Sequence, residues 1–403
     1  MIVKTLPKDK YQVNILTILF LSGIVTKSCG LNAIWVCILA LFAAYLGVSE
    51  FRQWAKLNLP LGVIVAAFIM LTSTLLGDYR DGGQVNNIIY TASFCMMLFI
   101  FYVLTSRNCS YIVKGLKQVN YLLILFALFG IYEYLIRDNP LKGLFETYYN
   151  LPYVGSDKFR SCSVFAHSIP FAVSMLIGIV TSYYLSNSKT YKFLSILIFV
   201  LALFCSKSRS CWIVFVIMIL GIVITELRDR GFNKTALIVA PICIVSAVIV
   251  AQPVVDAVLN RFSGLMSSGS FLHRSGAAEY ILQKFISEGN MLIGSGYGSA
   301  EYEMSQTVIF EIGFNTVDNG LITLLYDFGL IVIGLLAAAL CIAVFRYFDP
   351  RSNYFEKCIC MIFLVTLATG YVFEFFGWQC ISVFFFMTVI YVVYCKRDCI
   401  TGS

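Results

Sequence analysis

Ser206-Lys207-Ser208-Arg209-Ser210 packs two cations and three hydroxyls into five residues between two apolar runs. Such a turn offers many hydrogen-bond donors and two positive charges, the chemistry that holds a phosphate or pyrophosphate. Arg160 lies in Lys158-Phe159-Arg160-Ser161-Cys162, where a polar stretch runs into another apolar segment, and Arg274 follows His273 in a long polar stretch. An arginine at the edge of a bilayer fits snorkelling to lipid headgroups or a partner in a wet cavity. Arg274 also fits a solvated pair with Glu279 or Glu288. Converging on one face, Arg160, Arg209 and Arg274 with Lys207 would make an anion-binding constellation.

The acids expected on that face are Asp318, beside Asn319, together with Glu311 and the deeper Asp327. A carboxylate near a sugar hydroxyl can act as general base, because taking its proton raises the nucleophilicity of the oxygen. Asp318 equally suits a helix N-cap, and the two roles do not exclude each other. Asp327, Glu133 and Glu374 read as buried hydrogen-bonding residues, and His167 as a packed or capping histidine.

Other patterns carry less. Gly294-Ser295-Gly296-Tyr297-Gly298 lacks the spacing and the preceding strand of a dinucleotide fingerprint, so it predicts a backbone turn with positive φ. The 14 cysteines are scattered and none has a partner at metal-ligand spacing. No metal and no cofactor is expected.

Positioning these residues falls to apolar helices. Of 403 residues, 59% are hydrophobic and 13% charged, about half the charged share of a soluble domain. A helix needs about 20 apolar residues to cross a bilayer. Candidate spans cover 13–28, 32–49, 59–76, 88–105, 119–136, 163–185, 192–206, 211–227, 235–252, 320–345, 357–375 and 378–395. The pair 192–206 and 211–227 fits either a helical hairpin or a partly re-entrant unit. The fold class is thus an all-α polytopic integral membrane protein of about 12 transmembrane helices, forming one domain over 1–403.

Lysine and arginine are retained on the cytoplasmic side of short loops. An inside N-terminus puts 18 of the 29 in short inner segments and leaves 11 outside, most of them at 137–162, 207–209 and 253–318. The net charge of +7 therefore reflects topology and implies no nucleic-acid partner. Both termini fall inside, and the first span reads as uncleaved. Two outer loops are long: 137–162 between the fifth and sixth spans, and 253–318 between the ninth and tenth. The latter is partly helical, with Ala277, Ala278, Ile281, Leu282 and Phe285 at helical spacing, and is expected to lie on the membrane surface.

Together Arg160 before a span, Ser208-Arg209-Ser210 between spans, Arg274 before a helix ending near Gly294-Ser295-Gly296, and Asp318-Asn319-Gly320 through Tyr326-Asp327-Phe328-Gly329-Leu330 resemble the lipid-linked polysaccharide polymerases and ligases of bacterial envelopes. These are the Wzy-type O-antigen polymerases and the WaaL-type O-antigen ligases. The resemblance covers residues 160 to 335 and leaves the first 150 without a matching motif. Each piece is short, and it is their order and spacing that is specific.

A histidine-asparagine pair opens the corresponding span in the ligases. Here it is Asp318-Asn319, which removes the ligase's proposed histidine base and tilts the likeness to the polymerases. The resemblance implies a metal-independent glycosyltransferase in the bacterial inner membrane, working at the periplasmic face on glycan repeat units carried by undecaprenyl pyrophosphate. A sugar hydroxyl of one unit would displace the pyrophosphate anchor of the growing chain, inverting the anomeric centre. Arg160, Lys207, Arg209, Arg274 and Asn319 would bind the pyrophosphate substrate, with Asp318 as base and Arg209 and Arg274 stabilising the leaving group. A chain-length regulator and a flippase are the implied protein partners. Alternatives are a WaaL-type ligase and a flippase or secondary transporter, whose inverted repeats and broken helices are not evident in the sequence.

Overall fold

The computed structural model describes residues 13–50, 60–77, 84–107, 109–230, 269–288, 290–306, 316–371 and 373–394. Among them the α-helices are α1 (Ile15–Ser28), α2 (Asn32–Glu50), α3 (Leu61–Leu76), α4 (Gln84–Arg107), α5 (Cys109–Ile136), α6 (Ser168–Leu185), α7 (Lys189–Cys205), α8 (Arg209–Arg230), α9 (Gly269–Glu288), α10 (Ser299–Ser305), α11 (Gly320–Phe348), α12 (Tyr354–Gly370) and α13 (Gln379–Tyr394). No strand occurs among the described residues. Six helices (α2, α4, α5, α6, α8 and α11) are long and apolar enough to cross a membrane; α1, α3 and α13 are apolar but shorter.

Each expected span coincides with a helix except 235–252, which lies outside the described residues. Boundaries differ where polar residues hide a helical turn. The fifth span begins ten residues earlier, at Cys109, because Lys114 and Lys117 belong to its first turns. Between 192 and 227 the chain forms two separate helices joined by Ser206-Lys207-Ser208, a joint that a hairpin and a re-entrant pair share.

Local chemistry fixes several helix starts. Asn14 accepts from Leu16 N at 2.9 Å, Ser188 from Tyr191 N, and Asn353 forms a capping box with Glu356. The hub is α6, apolar on all sides with 94% of its span buried, against 17% for α2 and 28% for α8 and α11 at the rim. Buried Asn120 is satisfied across helices, donating to Gly178 O and bonding Thr181, Ser182 and the Tyr191 hydroxyl.

Hydrogen bonds sort the helix ends into two sets. At one end the start of α1 meets α5 through Asn14 and Gln118, the ends of α6 and α8 meet through Tyr183 and Glu226, Arg228 donates to Phe348 O, and Lys357 pairs with Asp229. At the other, Ser28 donates to Val164 O, Glu146 N to Ser28 O, Ser161 N to Cys205 O, and Thr26 to the Gln379 side chain. Residues 160 and 205–209 thus share this second end.

Two expectations about the segment after 268 change. The apolar face of α9 does cluster as its spacing predicts, but Ala277, Ile281 and Phe285 pack against Ala300, Met304, Val317 and Tyr326 of the protein itself. Protein, and not lipid, covers that apolar face. Second, α11 is interrupted: Gly329 has φ 74° and ψ −177°, a conformation open essentially to glycine alone. The freed backbone groups are re-used, with Leu330 N donating to Met291 O, Ile331 N to Leu292 O, Ser295 N to Tyr326 O and Gly296 N to Asp327 O. A non-helical stretch at such depth is tolerated when protein satisfies it in this way.

A candidate anion site at one end of the bundle

The chain from Ile136 into α6 is held by one carboxylate. Glu133, fully buried near the end of α5, accepts from Cys162 N at 3.0 Å and Ser163 N at 2.6 Å through one oxygen, and from the Asn139 amide at 3.1 Å through the other. Asn139 also donates to Ser163 O, and Asn150 donates to Arg160 O. Tyr148, Phe159 and Cys162 form a small core beneath the loop. This framework fixes the main chain at Arg160.

His167 closes the segment, its Nδ1 accepting from Ile169 N at 3.1 Å as the cap of α6. That acceptor role leaves the proton on Nε2. Burial first, then the positive charges of Arg160 and Arg274, pull the imidazole down from 6.5 to about 3. Two of the three arginines expected to converge are therefore close enough to act on the same ring. His167 sits in an aromatic cage, edge-on to Tyr149 with centroids 4.9 Å apart, and against Phe373 and Trp378.

Arg274, in the second turn of α9, donates from Nε to Asp318 Oδ2 at 3.4 Å. Glu279, the first partner expected for it, accepts from Gln283 instead, and the side chain of Glu288 lies outside the described residues. Asp318 also accepts from the Thr316 hydroxyl at 3.1 Å, and His273 reaches Thr316 O at 2.9 Å. The N-cap role allowed for Asp318 goes instead to Asn319, whose side chain accepts from Ile322 N at 3.2 Å. Asp318 takes φ 52°, a left-handed conformation that turns it out of the helix axis.

Arg209 opens α8, and Ser208 and Ser210 lie 3.3 Å apart beside it. Lys207, also at positive φ, donates to the main-chain carbonyl of Asp157 and sits 5.1 Å over the Tyr134 ring. The 206–210 turn therefore docks on the loop that carries Arg160. The structure pairs Arg274 with Asp318 beside Asn319, sets Arg160 and Arg274 near enough to act on His167, and leaves Arg209 and Lys207 at the same end of the bundle.

More carboxylates line this region than the arginine pattern suggested. Asp327 is buried and accepts from Gly298 N and Ala300 N, capping α10 as its hydrogen-bonding reading requires. Glu374 rises well above the usual carboxylate range through burial, then the charges of Glu301 and Asp327, with Asp318 adding to it. Glu301 is raised by burial and partly relieved by Lys27. Glu301 is itself exposed and lines a cleft. Glu311 lies outside the described residues.

Lys27, Tyr149, Glu301 and Trp378 were not singled out in the sequence. Lys27 alone carried a signal, as one of few cations at this end. The glycine turn behaves as its pattern predicts, with φ of 75°, 97° and 81° at Gly294, Gly296 and Gly298. No protein-family model and no curated protein matches the chain.

Proposed function

We propose that this chain is a Wzy-type glycosyltransferase that polymerises undecaprenyl-pyrophosphate-linked oligosaccharide units at the periplasmic face of the bacterial inner membrane. The observation that carries the reading is the Arg274–Asp318 pair at 3.4 Å, with Arg160 acting on the same His167 ring. Cation and carboxylate side by side are what the transfer needs: positive charge where the pyrophosphate leaves, and an acceptor for the attacking hydroxyl's proton.

In this mechanism Arg160 and Arg274, assisted by Arg209 and Lys207 at the same end, bind the donor pyrophosphate. Asp318 takes the proton from the acceptor hydroxyl as the oxygen attacks the anomeric carbon. The C–O bond to pyrophosphate breaks, and undecaprenyl pyrophosphate departs with both electrons. Two of the roughly four lone-pair positions of Asp318 are engaged by Arg274 and Thr316, leaving room for the substrate. Asn319 acts through its cap, holding the start of α11 so that Asp318 faces the site.

Two further features support a lipid-linked substrate. An apolar groove of about 170 Å³ between α3, α4, α11 and α13, lined by Val63, Met70, Leu98, Leu336 and Phe386, suits a hydrocarbon chain. Lys114, Lys117, Lys192, Arg346, Arg351 and Lys357 belong to the opposite end, which the positive-inside bias would make cytoplasmic. In this topology there are twelve crossings, the one expected at 235–252 joining the end with Arg228 to the end with Arg274.

The test is complementation. Arg160→Ala, Arg209→Ala, Arg274→Ala and Asp318→Asn are expressed at matched membrane levels in a strain lacking the chromosomal copy, and surface polysaccharide is resolved by length. Loss of the long-chain ladder in Arg274→Ala and Asp318→Asn is expected. Normal ladders from all four would sink the proposal, and capped core without polymer growth would point to a ligase.

A further inference from the structure

Beside the arginine cluster a second cleft, of about 160 Å³, opens at the same end between α1, α2, α4, α10 and the start of α13. The mechanism above uses none of its lining. Its polar groups are Lys27, Asn32, Asn87, Tyr90, Glu301 and Gln379; Tyr297 presents aromatic surface among them, with the buried Trp35 in its wall.

Several of its residues are held by second contacts. The Gln379 amide donates to Asn32 Oδ1 at 2.8 Å while its oxygen accepts from Thr26 at 2.8 Å. Asn87 fits against Gly298, where an added Cβ would lie 2.9 Å from its amide nitrogen. Tyr297 is wedged by Phe94 at 5.2 Å and Tyr90 at 5.9 Å, and its amide donates to Thr74. A site held by such second contacts is preorganised for one ligand shape.

Amides that donate and accept, beside a carboxylate that accepts and an aromatic face, match a hydroxyl-rich ring. Its hydroxyls pair with Asn87 and Glu301, and its C–H face meets the electron-rich face of an aromatic ring. The volume is below the roughly 300 Å³ at which pockets for drug-sized ligands begin, so it takes one ring and not an oligosaccharide. The cleft runs on to His167 through side chains: Lys27 lies 5.5 Å over Trp378, whose ring is 5.7 Å from His167.

We infer that this cleft binds the terminal sugar of the acceptor repeat unit as a single pyranose, with Asn87 and Glu301 reading its hydroxyls. The inference rests on the glycosyltransferase reading for the word acceptor, and on the cleft alone for the sugar. Asn87 and Glu301 are specificity-determining positions under it, because a site built to hydrogen-bond a hydroxyl discriminates strongly against a ligand that lacks it.

The experiment uses the full chain in lipid nanodiscs, with lipid-linked repeat units extracted from the source strain as donor and the acid-released, delipidated repeat oligosaccharide as acceptor. Asn87→Ala and Glu301→Gln are compared with wild type and with Arg274→Ala, after thermal unfolding confirms that each variant is folded. Both cleft variants are expected to raise the acceptor KM about tenfold or more, while the donor KM stays within about twofold. Arg274→Ala instead lowers kcat at any acceptor concentration. Cleft variants with the wild-type acceptor KM, beside an inactive Arg274→Ala, overturn the cleft and leave the proposed function standing. If wild type itself transfers nothing, the proposed function fails, and calorimetric binding of the same oligosaccharide decides the cleft: binding lost in Asn87→Ala supports it, and no binding or equal binding overturns it.

Discussion

Asn319 takes the capping duty of the helix that begins at Gly320, and this leaves its neighbour Asp318 free to hold Arg274, 44 residues earlier in the chain, at 3.4 Å. The division of labour between adjacent side chains lets one fix the backbone while the other faces the site. Because Asp318 sits at positive φ, just outside the helix, its carboxylate meets α9 and not the core.

That pair should matter far more to activity than to folding. With Arg274 30% and Asp318 23% exposed, the bridge contributes about 0–1 kcal/mol to stability. Arg274→Ala should therefore unfold within about 3 °C of wild type. Its transfer rate should fall about 100-fold or more, the scale set by losing one preorganised charge at a developing anion. Thermal unfolding and a single-turnover transfer assay on the same preparation check both halves.

Glu133 should behave in the opposite way. Glu133→Ala strips the acceptor from the buried amides of Cys162 and Ser163 and from Asn139, at a cost of about 2–4 kcal/mol. Limited proteolysis should then cut between residues 137 and 162 where wild type resists. Activity should fall with it, through displacement of Arg160. Resistance equal to wild type would show that the carboxylate does not hold the loop.

Acid should weaken the protein through His167. Its folded value of about 3 lies below the ordinary 6.5, so the unfolded chain binds more protons between these limits. The stabilisation is complete above about pH 6.5 and is lost as pH falls toward 3, amounting to about 2 kcal/mol between pH 7 and pH 5. Glu301 and Glu374, both raised, act with the opposite sign, so the comparison is made against His167→Asn, which can still cap the helix. The variant should lose less stability than wild type over that interval; parallel curves would count against the assignment.

The break in α11 predicts a steep cost at two glycines. A Cβ at Gly329 would strike Leu292 O, one at Gly294 would strike Asp327 O, and both residues have positive φ. Gly329→Ala and Gly294→Ala should each destabilise by about 2 kcal/mol or more. By contrast Gly143→Ala, where nothing lies within 4 Å, should be silent in the same thermal scan.

Much of the frame was legible because apolar length is a property of the sequence alone, and eleven expected spans coincide with helices. The arginine grouping was legible in part: cations are costly at membrane depth, so Arg160 and Arg274 stand out wherever they fall. What stayed hidden depends on contacts distant in the chain. Nothing near Gly329 says that residues 290–298 will bond to its exposed backbone, and a glycine inside 29 helical residues reads locally as an ordinary helix position. Likewise Trp378 and Tyr149 become neighbours of His167 only when the last helix packs beside the loop after α5. Asp318 and Asn319 suit the same cap, and only the fold chooses between them.

The stitching of residues 290–298 to α11 also imposes an order on biogenesis. Ser295 N and Gly296 N donate to carbonyls of Tyr326 and Asp327, and the first amides of α10 need the Asp327 side chain. Those acceptors are synthesised some 30 residues later, on a helix that must first be inserted. A nascent chain that ends before Tyr326 carries orphan amides in the segment that presents Glu301. The last helix, which brings Trp378 and Gln379, follows later still. The end of the bundle that holds the Arg274–Asp318 pair is thus among the last parts of the molecule to be completed, and a chain that stops before Trp378 would lack the contacts that Trp378 and Gln379 make there.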